Sequence, residues 1–251
     1  MIPNYFLYLV FVLYGLVIGS FLNVCICRIP NHENIVTVRS HCMQCGYQLK
    51  WYDLVPLFSF LVLKGRCRQC RQKISIQYPI VEAMNGILYL IIVMRYGGTV
   101  ETVLYCLLAS ALLTLSVIDI RTYEIPFGIN IFIGCLGLCH MALQYPHFST
   151  YIIGFFAVSV FLQIIIWITK GRGIGGGDMK LMAVCGLVLG WRLIILAFLL
   201  GCVIGSVIHV IRMTVSKADH VLAMGPYLSI GVMIALLWGE PLIQWYVSLF
   251  L

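Results

Sequence analysis

Long apolar runs separated by short polar joints dominate the chain, and only one polar stretch, from about Arg28 to Tyr78, is long enough to form a body of its own. A membrane-crossing helix needs about 20 mostly apolar residues. Runs of that kind predict about eight transmembrane helices, at roughly 4 to 27, 79 to 95, 100 to 119, 127 to 145, 151 to 169, 178 to 191, 192 to 213 and 222 to 240. The sixth is short. The tail from Pro241 to Leu251 is apolar but too short to span, which places it along the interface. The expected fold is an all-α polytopic membrane protein with a first transmembrane helix (1–27), a small insertion (28–78) and a transmembrane domain (79–251). Met1 to Cys27 reads as a retained helix and not a signal peptide, because no Lys or Arg precedes the apolar run and no Ala-x-Ala site follows it.

Composition agrees with a lipid environment: of 251 residues, 62% are hydrophobic and 10% charged, with a mean hydropathy of +1.01, more apolar than a water-soluble domain requires. The formal charge of +7 points to nucleic acid only until its positions are mapped. With the N-terminus outside, all of the 16 Lys and Arg except Arg95 and Arg192 fall on the cytoplasmic side, Arg172 and Lys217 among them. The basic residues of the insertion then form a solvated face that also meets anionic lipid, and no nucleic-acid partner is expected. The same count puts Asp119 at the inner end of the third helix and Asp178 at the inner start of the sixth. Both carboxylates therefore reach one cytosolic level.

Inside the insertion, Cys42 and Cys45 form one Cys-x-x-Cys pair, and Cys67 and Cys70 form another. Each such turn aims two sulfurs at one ion, so two turns complete the tetrahedron of a structural zinc site, and a segment with little core folds around the metal. A pair of disulfides is the other reading, which a cytosolic location disfavours. His41 is a further candidate ligand but reads better as a bystander. The seven other cysteines lie in apolar runs, where thiols behave as small hydrophobes.

Of nine acids, Glu82, Asp119 and Asp178 sit in or at the inner ends of apolar runs, where a carboxylate is costly and suggests function. Asp178 taken alone has two equal readings, a catalyst or a helix cap accepting backbone N–H groups. Lys170 to Lys180 carries five glycines, Gly171, Gly173, Gly175, Gly176 and Gly177, and glycine this dense permits close approach of another chain. A phosphate-binding loop is the rival, and it lacks the Gly-Lys-Ser/Thr ending and has an acid where an anion would sit. Two carboxylates a few ångströms apart do not both ionise easily, so one holds a proton while the other activates water, the division of labour in aspartic proteolysis. His140, His147 and His209 lie at helix ends or in apolar runs, and none completes a Ser-His-Asp set.

Taken together, Gly19-Ser20-Phe21-Leu22-Asn23-Val24-Cys25-Ile26-Cys27-Arg28-Ile29-Pro30, Trp51-Tyr52-Asp53, the cysteine pairs, Tyr78-Pro79-Ile80-Val81-Glu82, Asp119-Ile120-Arg121 with Ile125-Pro126, Gly175-Gly176-Gly177-Asp178-Met179-Lys180 and Gly225-Pro226-Tyr227 resemble the bacterial prepilin peptidases. These are GxGD-type membrane aspartyl proteases, also called type IV leader peptidases, and the resemblance runs along nearly the whole chain. It implies Asp119 and Asp178 as the catalytic pair and Cys42, Cys45, Cys67 and Cys70 as ligands of a structural Zn2+. It further implies prepilin or pseudopilin substrates, cut after a basic leader at the cytosolic face of the bacterial inner membrane. N-methylation of the new terminus from S-adenosylmethionine is also implied, without residues to assign to it. Phe127 departs from the family, which usually carries an acid there, and altered local packing is expected.

Glu82 has two readings, a carboxylate near a helix N-terminus or a contact with the basic leader or the methyl donor. Lys180 reads as an interface anchor. Two other functions remain to be weighed: a GxGD protease with different substrates, and a non-catalytic, metal-regulated transport or assembly protein. Transport predicts related halves and midplane polar residues, and neither is visible.

Overall fold

The computed structural model describes residues 4–171, 175–216 and 222–249. Arg172, Gly173 and Lys217, used above for charge and glycine content, lie outside the described residues. The chain forms two compact units that divide between Thr114 and Leu115.

In the first unit, α1 (Asn4–Arg28) packs along α3 (Gln77–Tyr96), and the start of α4 (Val100–Thr122) completes the helical part. Small residues bring α1 and α3 together, as is usual where lipid supplies no hydrophobic drive. A Cβ on Gly15 would lie 2.9 Å from the Gly86 Cα, and one on Gly19 would lie 2.7 Å from the Glu82 Cα. At this close approach the Asn85 amide donates to the Gly15 carbonyl (2.7 Å) and accepts from the Ser110 hydroxyl (2.8 Å). The polar residues of three helices are thus tied together in an apolar setting. Between α1 and α3 the insertion holds a short 3₁₀ turn (Trp51–Asp53) and α2 (Phe58–Val62), with no named strand among the described residues.

In the second unit, the end of α4 is followed by α5 (Phe127–Leu143), α6 (Phe148–Thr169), α7 (Gly176–Ser216) and α8 (Gly225–Ser248). α7 is the central element, packing on α5, α6 and α8. At 41 residues it is about twice the length of a span. Gly190 breaks it, with φ 75° and ψ 172°, a conformation open to glycine and strained for other residues. The arms 176–189 and 191–216 correspond to the sixth and seventh predicted helices. Among the described residues, six helices are long and apolar enough to cross a membrane and α5 is a shorter apolar one. Counting both arms of α7, the described residues contain eight apolar arms, in agreement with the sequence. The tail differs: α8 runs on through Pro241 to Ser248 as one helix. Membrane helices tolerate such a proline when neighbouring groups make up the lost backbone bond.

Candidate active site and metal centre

Both aspartates belong to the second unit. Asp119, 4% exposed, lies in the last turns of α4, and its Oδ2 accepts the backbone N–H of Gly225 at 2.8 Å. Gly225 opens α8, so this carboxylate takes one of the N–H groups that a helix start leaves without a partner. Gly225 has to be glycine here, because a Cβ would lie 2.7 Å from that same Oδ2. Asp178, half-buried, sits in the first turn of α7 and accepts the backbone N–H of Gly175. The capping reading of Asp178 therefore describes a real contact, and it applies equally to Asp119. Each carboxylate is oriented by one backbone N–H, and the two are near enough for the Asp119 charge to act on Asp178.

The other sequence features around Asp178 fall into place beside it. Gly177 faces Ile125, whose Cβ would be 3.0 Å from an added Cβ, so the Ile125-Pro126 turn seats against the glycine loop. Lys180 Nζ lies 5.2 Å from the centroid of the Phe127 ring. The Phe127 ring thus offers its π-face to the Lys180 cation. Met179 and Lys180 also border a groove of about 390 Å³ between α5, α6 and α7, lined mainly by apolar side chains such as Ile131, Phe155, Phe156 and Val184. Asn130 lines it too, 3% exposed, with no partner for its Nδ2 or Oδ1 among the described residues. Sequence reading passed over Asn130, and its only signal was a lone amide in an apolar run. His140, buried, packs edge-on against Tyr151 with centroids 5.2 Å apart, the packed histidine expected.

The cysteine centre lies in the first unit and is built from two like turns. Cys42 N–H donates to the Tyr47 carbonyl (2.9 Å) and Gly46 N–H to the Cys42 carbonyl (2.9 Å). In the second turn, Cys67 N–H donates to the Gln72 carbonyl (2.8 Å) and Arg71 N–H to the Cys67 carbonyl (3.1 Å). Each turn ends on a left-handed residue, Gly46 (φ 69°) or Arg71 (φ 60°). The four sulfurs lie within 4.8 Å of one another, with Cys42 to Cys70 at 3.9 Å and Cys45 to Cys67 at 4.0 Å. Tetrahedral bonds of about 2.3 Å put sulfurs about 3.8 Å apart, so the donors match a four-thiolate site and all four thiols are unbridged. Backbone N–H groups of Cys45 and then Gln44 lower the Cys42 thiol, which favours the thiolate form that a metal binds, while Cys70, despite the Gln72 backbone N–H, is pushed up by desolvation and the neighbouring sulfurs. His41 is exposed, turns its Nδ1 to the Arg39 carbonyl (3.1 Å) and is not part of the cluster.

Asp53 joins the two turns. Its Oδ1 accepts from Arg68 Nε (2.7 Å), and its Oδ2 accepts from Lys50 N–H (3.2 Å) and the Tyr47 hydroxyl (3.4 Å). Glu82 lies beyond the first turn of α3, buried, and its Oε2 accepts the N–H of Leu57 (2.8 Å), the residue that starts α2. It anchors the insertion to α3, which replaces the reading as a charge at that helix's own N-terminus.

This is the class of an all-helical membrane protein with a carboxylate pair at its helix ends and a tetrathiolate insertion. Two family models match along it, the bacterial peptidase A24 N-terminal domain over residues 13–96 and the type IV leader peptidase family over residues 106–210. The prepilin leader peptidase/N-methyltransferase of Pseudomonas putida is 33% identical over 267 residues, covering 95% of this chain and 92% of that protein. The protein of the same name from Bacillus subtilis strain 168 is 32% identical over 240 residues, 94% of this chain and 96% of its own length. That of Aeromonas salmonicida strain A449 is 32% identical over 279 residues, with coverage of 98% and 96%. No solved structure matches. The chain belongs to the type IV leader peptidase family.

Proposed function

We propose that this protein is a membrane aspartic endopeptidase that removes the basic leader of prepilins or pseudopilins at the cytosolic face of the bacterial inner membrane. Asp119 and Asp178 are its catalytic pair. The observation that carries this reading is their meeting in one unit, each carboxylate held by a backbone N–H and Asp178 within the field of Asp119. In the reaction, one carboxylate in its acid form donates a proton to the scissile carbonyl while the ionised partner takes a proton from the attacking water. The glycines of the Asp178 loop leave room for an extended substrate chain. The groove beside Met179 suits the apolar segment that follows the cut.

Family membership and the names of the relatives also support N-methylation of the new N-terminus, for which S-adenosylmethionine supplies the methyl group. Cys42, Cys45, Cys67 and Cys70 hold a structural Zn2+, a reading supported by their sulfur separations. The deciding experiment is mass spectrometry of a prepilin mixed with the full-length protein and S-adenosylmethionine, which reads the cut and the methyl group together. Cleavage after the leader is expected. An unprocessed precursor in the presence of folded, membrane-inserted protein overturns the assignment.

A further inference from the structure

A second cavity, of about 510 Å³, lies wholly in the first unit, between the inner end of α1, the start of α3 and the cysteine insertion. Its size falls within the range of about 300–1,000 Å³ typical of small-molecule sites. Its walls bring together unlike chemistries: the Glu82 carboxylate, the Asn23 amide, the Arg28 guanidinium, the Ser20 hydroxyl and the rings of Tyr78 and Phe60. Asn23 is 1% exposed and donates through Nδ2 to the carbonyls of Tyr78 (3.1 Å) and Gly19 (3.3 Å). Its Oδ1 has no partner among the described residues, although a buried amide oxygen left unpaired is costly. Glu82 is 7% exposed, its Oε2 accepts the neutral Leu57 N–H, its carboxylate also meets the Ser20 hydroxyl, and it forms no ion pair among the described residues. Arg28 spends its guanidinium on the carbonyls of Asn34, Val38 and Arg39, which fixes the cavity wall, while Arg68 and Lys73 also line the cavity and Arg68 is paired with Asp53. A buried carboxylate beside an unpaired acceptor oxygen favours a ligand group that brings a positive charge or a hydrogen-bond donor to that corner of the cavity.

We propose that this cavity is the binding site for S-adenosylmethionine, with Glu82 and Asn23 Oδ1 facing its cationic sulfonium and amino end, and the Tyr78 and Phe60 side taking the adenine. This rests on the N-methylation reading above. A ligand bearing a sulfonium and an ammonium group supplies the positive charge that Glu82 lacks and the contact that Asn23 Oδ1 lacks. The ring side of the same cavity suits a flat heterocycle. Cys42 and Cys67 also line the wall, so the metal centre and the cavity share one framework.

The test is ligand binding by the zinc-loaded, full-length protein in detergent or nanodiscs, with S-adenosylmethionine and its neutral-sulfur product S-adenosylhomocysteine titrated separately. Glu82→Gln keeps an acceptor for Leu57 N–H and removes only the charge. It is expected to weaken S-adenosylmethionine by about tenfold or more, the effect of losing a charged contact, and S-adenosylhomocysteine distinctly less. Asn23→Ala is expected to weaken the methyl donor as well, and zinc content measured on each variant certifies the fold of the insertion. If zinc-replete Glu82→Gln binds both ligands as the wild type does while the wild type methylates cleaved pilin, the cavity assignment is wrong and N-methylation stands. Unchanged donor affinity together with a raised KM for prepilin cleavage assigns Glu82 to the basic leader instead and also overturns the proposal. A wild type that neither binds the donor nor methylates overturns the methyltransferase reading, and this site with it.

Discussion

The cysteine centre and the aspartate pair are both built where a chain turns, yet they are held in opposite ways. Each Cys-x-x-Cys turn is closed by hydrogen bonds to residues within five positions, and Asp53 links the two turns across a short span of chain. The aspartates come from α4 and α7, and the N–H that orients Asp119 comes from Gly225, which is 106 residues further along. A local site is written in spacing and is stabilised by its ligand, whereas a distant one is written in helix packing and exists only once the helices are assembled. Damage to the first is expected to stay local, and damage to the second to reach the chemistry.

Substitutions ordered by expected effect turn that contrast into measurements. Asp119→Asn and Asp178→Asn are each expected to lower the rate of leader cleavage by at least about 10²–10⁴-fold, the usual weight of a general acid or base, with zinc content unchanged. Gly225→Val places a Cβ against the Asp119 carboxylate and is expected to cost about 10²-fold in cleavage through misplacement alone, again with zinc retained. If Gly225→Val cleaves normally, helix packing does not set the Asp119 geometry and the comparison breaks. Cys67→Ser with Cys70→Ser is expected to release zinc and make the insertion a target for limited proteolysis, with a smaller loss of cleavage than either aspartate substitution. Asp53→Asn is milder: zinc is retained, and chelators are expected to remove it about tenfold more readily. Phe127→Glu exchanges a cation–π contact to Lys180 for an ion pair, and cleavage is expected to stay within about fivefold of wild type.

What the sequence disclosed follows the same division. The four-cysteine cluster was legible because two short spacings carry it, and the spans were legible because lipid demands continuous apolar runs. The common level of Asp119 and Asp178 emerged from counting spans. Their hydrogen bonds did not, because no spacing connects Asp119 to Gly225 or marks which N–H a carboxylate will take. Glu82 was noticed as an odd acid, but its partner Leu57 lies across the insertion and has no distinguishing side chain. Asn130 and the Lys180 contact with Phe127 depend on how α5 meets α7, which periodicity does not encode. The sequence put the boundary between the sixth and seventh helices after position 191, and the positive-φ backbone at Gly190 that makes the break is visible only in three dimensions.

That glycine also bears on the lipid around the enzyme. At 1.5 Å per residue, the arm 176–189 is only about 21 Å long, and α5, packed against α7, reaches about 26 Å. A typical hydrocarbon core is about 30 Å thick, so helices this short draw the bilayer inward or let water and headgroups sink toward their ends. Asp178 stands at one of those ends. The membrane beside it is expected to be locally thin, a dimple through which a peptide bond at the lipid boundary and a hydrolytic water can reach the same carboxylates.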